Sequence, residues 1–177
     1  AGFTMLHLDM GTYYESLHKA IPTIYQNEGL QLHLADELKK NGVKTPLLIQ
    51  GKLGSPELAE KVVKDGLADL IGLGHQALAD PHWPNKVMDH KYDEIIPCIG
   101  CNECINSVFS NRAFSCAVNP LTGAEKDYAL TPAGEHRSIL VIGSGPAGMM
   151  SAITAAQRGF DVELWEKERA LGGALLA

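Results

Sequence analysis

The stretch SILVIGSGPAGMMSAITAAQRGFDVELWE, residues 138–166, restricts the fold more than any other part of the chain. Within it, Gly143-Ser144-Gly145-Pro146-Ala147-Gly148 fits the pattern G-x-G-x-x-G. Alone that pattern is weak, because many glycine-rich loops do nothing but turn. Here an apolar run, ILVI, precedes it, and a helix of small residues is expected over 149–157. Gly159 stops that helix, and DVELWE forms a second strand ending at Glu166, about twenty residues on. Gly143 permits the tight turn, Gly145 leaves room for a pyrophosphate, and Gly148 lets helix and strand pack closely. The start of the helix offers free N–H groups and the positive end of a dipole to phosphates. Glu166 is placed to accept from a ribose hydroxyl, and its charge repels a 2′-phosphate. The unit is therefore expected to bind a dinucleotide with a plain adenosine ribose, against the alternative of an unliganded turn.

Residues 1 to about 90 carry a second alternation of strands and helices. FTMLHLD, residues 3–9, reads as a strand, and LQLHLADELKKNG as a helix closed by Asn41-Gly42. TPLLIQG is a short continuous apolar run, as expected of a strand buried on both faces of a parallel sheet. Ser55-Pro56-Glu57 opens the next helix with an N-cap, a proline at the first helical position and an acid in the first turn. Leu58, Ala59, Val62 and Val63 are its expected buried face, and Gly66 ends it. ADLIGLG, residues 68–74, is expected as another buried strand. Strand, helix, strand, helix, strand implies a parallel sheet and an α/β class.

Between these zones lie all four cysteines of the chain, Cys98, Cys101, Cys104 and Cys116, inside nineteen residues. The opening AGFTMLHLDM has no basic region of a signal peptide, so a reducing, cytoplasmic setting is expected, where structural disulfides are rare. The spacing is C-x2-C-x2-C-x11-C. A structural zinc site usually pairs two C-x2-C knuckles across a spacer. Three cysteines in one tight run with a distant fourth suit a cubane cluster better, because three thiolates on one loop reach three irons. Zinc, and free or disulfide-linked thiols, remain the alternatives. The tail that follows, NPLTGAEKDYALTPAGEHR, is rich in proline, glycine and charge and reads as a linker over 121–137. A formal net charge of -6 argues against a nucleic-acid surface, and no apolar run approaches the roughly 20 residues of a membrane span.

Taken together, CIGCNEC…SCAVNP, the preceding ADPHWPNKV and the following VIGSGPAGMMSA resemble the iron–sulfur flavoenzymes related to old yellow enzyme. The resemblance covers nearly the whole chain and keeps the order of parts. It implies the C-terminal third of an FMN-binding (β/α)8 TIM barrel over 1–92 and a 4Fe-4S segment over 93–120. The start of a Rossmann-like FAD- or ADP-binding domain would then follow over 138–177. A barrel takes about 250 residues, so the chain is expected to be an internal fragment, inactive alone.

The resemblance assigns Cys98, Cys101, Cys104 and Cys116 as the cluster ligands. The short spacing before the third is a departure from dienoyl-CoA reductases and matches trimethylamine dehydrogenase. FMN phosphate is implied at Gly51-Lys52 and Gly74-His75, where the family usually has arginine in place of both Lys52 and His75. Solvated loop residues are the competing reading for those two side chains. Gly143, Gly145, Ala147, Gly148, Glu166 and Gly173 are implied for FAD or ADP. The loop DMGTYYESLHKAIPTI lies where the family places groups near substrate, with Tyr14 at or near the proton-donor position. Tyr13 and His18 are its alternatives, and a rim role for Tyr14 competes. Asp9 is read as a local acceptor.

The activity implied is reduction of an activated C=C bond in an enoate, enone or dienoyl thioester. Electrons would pass from NADH or NADPH through FAD and the cluster to FMN. An amine dehydrogenase of the trimethylamine dehydrogenase type is the main alternative, and a non-enzymatic zinc- and nucleotide-binding module the second. The implied partners are a small-molecule substrate and either a second copy or an electron-transfer protein.

Overall fold

Leu47 and Ile49 are fully buried, as a continuous apolar strand between two neighbours requires. They lie on the central strand of a parallel sheet with the order β1-β2-β3. The computed structural model describes residues 2–176. It forms two units, Ala1–Ala124 and Glu125–Ala177, whose boundary falls inside the stretch read as a linker.

In the first unit, β1 (Leu6–Leu8), α1 (Leu17–Ala20), α2 (Leu32–Lys40), β2 (Leu47–Ile49), α3 (Pro56–Lys64) and β3 (Leu70–Ile71) follow in order. Next come α4 (His75–Ala79), α5 (Trp83–Met88), a 3-10 turn (Tyr92–Glu94) and α6 (Glu103–Phe109). β1 pairs in register Leu6 to Leu47, and β2 pairs Ile49 to Ile71, both parallel. The core gathers Ala35 of α2, Leu47, Ile49, Leu53, Val62 of α3 and Ala68.

Local chemistry sets the helix limits. Ser55 Oγ accepts from the Leu58 amide at 3.3 Å, and Pro56 occupies the first turn, where its missing N–H is not needed. α2 and α3 end alike, with Gly42 and Gly66 at positive φ (77° and 70°). The amides of Val43 and Leu67 reach back to Leu38 and Val62 O at 3.1 Å, a Schellman closure.

Three expectations differ from what is seen. Val63 is 44% exposed, because the buried stripe of α3 runs through Ala59 and Val62 instead. Leu70 is 47% exposed, since β3 borders the sheet and has no second neighbour among the described residues. The cysteine segment is not all loop, as Cys104 sits in the first turn of α6.

The second unit holds β4 (Ser138–Ile142), α7 (Pro146–Gln157), β5 (Asp161–Trp165) and a 3-10 turn (Gly173–Leu176). β4 and β5 pair in parallel from Ser138–Asp161 to Ile142–Trp165. α7 starts at Pro146, three residues before the expected 149, because proline's fixed φ is already helical.

Candidate functional site

The chain between α5 and α6 is tied to α4 by two buried side chains. Gln76 donates from Nε2 to Ile96 O at 2.9 Å and accepts from the Cys98 amide at 3.0 Å. Asp80, 2% exposed, accepts from Lys86 Nζ at 2.7 Å, from the Ile96 amide at 3.0 Å and from the His82 amide at 3.0 Å. Gly100 and Asn102 then turn the chain through positive φ (65° and 58°) into α6. Beyond it, Ser107 and Ser115 share a 2.9 Å hydrogen bond, and Asn119 Nδ2 and Thr122 Oγ1 each donate to Leu78 O at 2.9 Å. Both ends of the cysteine segment are thus pinned to the same helix, α4.

All four cysteines are free thiols. Burial pushes the Cys98 and Cys104 thiols up, and the charges of the other cysteines push the same way. The Gly100 amide, 3.4 Å from Cys98 Sγ, works in the opposite direction. Among the described residues no three His, Cys, Asp or Glu side chains close on a single-ion position. Four thiols with a backbone N–H aimed at one of them fit a group that offers each thiolate its own iron.

A cavity of about 470 Å³ opens at the C-terminal ends of β2 and β3, where parallel sheets bind ligands. Gly51, Lys52, Gly74, His75, Cys98 and Gly100 all stand on its wall. A Cβ on Gly74 would meet nothing within 4 Å, so backbone there is open to an approaching group. Burial holds His75 below its ordinary 6.5, leaving a neutral imidazole near pH 7. A phosphate there would meet the backbone N–H of residue 75 and not an imidazolium. The Lys52 ammonium donates to Thr23 O at 3.1 Å, Ile24 O at 3.5 Å and Gln26 O at 2.5 Å. Glu28 and Glu57 also line the cavity. Its walls fit a phosphate-bearing ring system through glycine backbone more than through side-chain charge.

The loop after β1 reaches this cavity with Ala20, Ile21 and Pro22. Tyr14 is 100% exposed and off the wall, Tyr13 packs edge-on against Phe109 at 6.2 Å, and His18 is exposed. Asp9 accepts from the Met10 amide at 2.7 Å and from Gln31 Nε2 at 3.1 Å.

In the second unit the glycines differ in what surrounds them. Gly143 has φ 96°, and a Cβ at Gly143 or Gly145 would meet nothing within 4 Å. A Cβ at Gly148 would lie 1.9 Å from Gly143 O. Open backbone at the start of α7 fits a pyrophosphate, with Ala147 in its first turn. Glu166 follows β5, and its Oε2 accepts from the Ser144 amide at 2.8 Å and Ser144 Oγ at 2.6 Å. Its Oε1 accepts from the Glu168 amide at 3.0 Å. Glu166, Arg169 and Gly173 border a second, open cavity of about 460 Å³.

These bonds, Ser144 Oγ first, lower Glu166 from 4.5 to about 2. A carboxyl depressed in the folded state stabilises the fold above its unfolded pKa, and that contribution fades as pH falls from about 4.5 towards 2. Ser144→Ala is expected to return the Glu166 titration, followed by carboxyl NMR, towards its ordinary range.

Gln76, Asp80, Lys86 and Ser144 carry no motif of their own. The one sequence signal was their adjacency: Gln76 follows Gly74-His75, and Ser144 lies inside the glycine pattern.

Residues 141–176 match the model of the NAD(P)-binding Rossmann-like domain. The chain is 41% identical over 178 residues to NADH oxidase of Thermoanaerobacter brockii, covering 99% of this chain and 27% of that protein. It is 40% identical to cinnamate reductase of Clostridium sporogenes, covering 99% of this chain and 26% of the relative. A solved 2-naphthoyl-CoA reductase complex superposes with a TM-score of 0.85 at 36% identity, over 97% of this chain and 26% of that one. The chain thus spans about a quarter of the length of these relatives. No helix among the described residues is long and apolar enough to cross a membrane.

Proposed function

This chain belongs to the iron–sulfur flavoenzymes related to old yellow enzyme, and on that premise we propose that it joins an FMN-bearing (β/α)8 barrel to an FAD- or ADP-binding domain. Residues 1–92 are read as the last third of the barrel, 93–120 as the 4Fe-4S segment, and 138–177 as the start of the nucleotide domain. One observation carries this reading above the rest: Cys98 and the glycine loops after β2 and β3 stand on the wall of one cavity. A flavin seated there lies against the cysteine loop.

Cys98, Cys101, Cys104 and Cys116 would hold the cluster. The Gly51-Lys52 and Gly74-His75 backbones would hold the FMN phosphate. Gly143, Gly145, Ala147, Gly148, Glu166 and Gly173 would hold FAD or ADP. When bound, these groups split the electron pair of NADH or NADPH into single steps and deliver hydride to an activated C=C bond. The protein supplies position, burial that disfavours stray thiolate charge, and N–H donors at sulfur and phosphate. Cinnamate and 2-naphthoyl-CoA, in the names of two relatives, are both unsaturated carbonyl compounds. That supports an enoate, enone or unsaturated thioester as substrate.

Outward electron flow from an amine C–N bond is the second reading, favoured by the short Cys101–Cys104 spacing. Tyr14 as proton donor requires the loop after β1 to turn its exposed ring towards substrate.

Absorbance of the intact enzyme purified without oxygen tests the reading. Flavin bands over a broad shoulder that dithionite bleaches are expected, whereas a colourless protein with stoichiometric zinc would overturn it. Cys116→Ala is expected to lower iron per polypeptide and to slow nicotinamide-driven FMN reduction by roughly tenfold or more. Unchanged iron would remove Cys116 from the ligand set.

A further inference from the structure

We propose that Lys52 is a positioning residue for the cysteine loop, clamping the 23–26 turn as a wall against Gly100, and is not a side-chain ligand of the flavin phosphate. The proposal rests on the cluster reading above. A lysine ammonium has three donors and no acceptor. In Lys52 all three are committed, to Thr23, Ile24 and Gln26 O. The backbone of Lys52 sits at φ 55°, directly after Gly51 at φ 108°.

The clamped turn is closed on itself. The Thr23 amide donates to Gln26 Oε1 at 2.8 Å, and the Gln26 amide donates to Thr23 O at 3.2 Å. The turn also abuts the cysteine loop. A Cβ on Gly100 would lie 2.9 Å from Ile24 N and 3.1 Å from Ile24 Cα and Thr23 C. Those contacts are backbone, so they cannot swing away. Gly100 in turn aims its amide at Cys98 Sγ, 3.4 Å away. Contacts therefore run from the Lys52 cation through the 23–26 turn and Gly100 to the Cys98 thiol. Charge-assisted bonds to carbonyls are strong and orienting, so removing this cation frees the wall that keeps the Gly100 amide on sulfur.

Lys52→Gln, Lys52→Met, Lys52→Arg and Gly100→Ala in the intact enzyme test the assignment. Three readings are taken: iron per polypeptide, the rate at which an iron chelator bleaches the cluster absorbance, and FMN per polypeptide. Lys52→Gln and Lys52→Met are expected to bleach roughly tenfold faster or more with FMN content unchanged. Lys52→Arg, which keeps charge and donors, is expected to restore most of the resistance. Gly100→Ala reaches the same sandwich from its other side and should bleach fast with lysine intact, which keeps the test open if a Lys52 variant fails to fold. FMN loss with iron retained in Lys52→Gln would make Lys52 a phosphate ligand and overturn the proposal. Unchanged bleaching in both Lys52→Gln and Gly100→Ala would overturn it too. Iron-free wild-type enzyme would overturn the cluster reading, and this one with it.

Discussion

Asp80→Ala is expected to destabilise the segment that delivers Cys98 by about 3–5 kcal/mol, the usual result of removing one partner from a buried ion pair. Asp80 is 2% exposed and Lys86 20%, so the carboxylate has no ready access to water. Truncation strands the Lys86 ammonium, and it orphans the Ile96 and His82 amides at the same time. Lys86, 20% exposed, then keeps one protein acceptor, Glu94 O at 2.7 Å. Ile96 lies two residues before Cys98, so the loss is felt first at the cysteine loop. Hydrogen exchange at residues 96–98, together with iron retention on mild heating of the intact enzyme, measures the effect. Protection equal to wild type would show that Gln76 alone anchors this strand of chain.

The pH dependence has the same origin. Burial pushes the Asp80 carboxyl up, but the Lys86 ammonium and the two amides outweigh it and hold it below 3.8. With the folded pKa depressed, the contribution is complete above about pH 5 and is lost as pH falls through the folded value. A Lys86→Met variant, which lacks the main group depressing the Asp80 carboxyl, is expected to retain less iron near neutral pH but to lose it less steeply as pH falls.

The second large effect belongs to Gly148. A methyl there would sit 1.9 Å from Gly143 O and 3.0 Å from Gly143 C, both backbone atoms. Overpacking of this kind costs about 1–3 kcal/mol or more, and α7 must lift from β4 to relieve it. Gly148→Ala is expected to weaken retention of the adenine dinucleotide by roughly tenfold to a hundredfold and to lower the melting temperature of this unit. Gly145→Ala separates the two causes. Its Cβ would meet nothing within 4 Å, and its φ of -64° suits alanine. With the dinucleotide stripped from both, that variant should melt like wild type, yet it should bind dinucleotide more weakly, because its methyl fills the space the pyrophosphate needs. Equal dinucleotide retention in Gly145→Ala and wild type would place the phosphates elsewhere.

Much of this was legible in the order of residues. The turn at Gly143, the crowding at Gly148 and the stop at Gly159 each depend on residues a few positions apart, which a motif records directly. The caps at Ser55, Gly42 and Gly66 are local for the same reason. Cysteine spacing likewise pointed to one shared site, because four like residues fall within nineteen positions of one another. Val63 and Leu70 were harder, because burial depends on what packs against a face. Periodicity names the apolar stripe of α3 but leaves its edge open to either neighbour.

Residue order alone accounts for the parallel β/α character, the glycine turn before α7 and the gathering of four cysteines in one short segment. Each follows from side-chain volume, φ preference or chain proximity within about twenty residues. The hydrogen-bond partners of Lys52, Gln76, Asp80 and Ser144 are set instead by the packing of distant segments. Lys52 meets its carbonyls 26 to 29 residues away, and Gln76 meets Cys98 at a separation of 22. Such meetings depend on how β2, β3 and the loops at their ends pack together. No local pattern encodes that, because a lysine after a glycine is equally suited to a phosphate or to three backbone carbonyls until the fold brings one of them within reach.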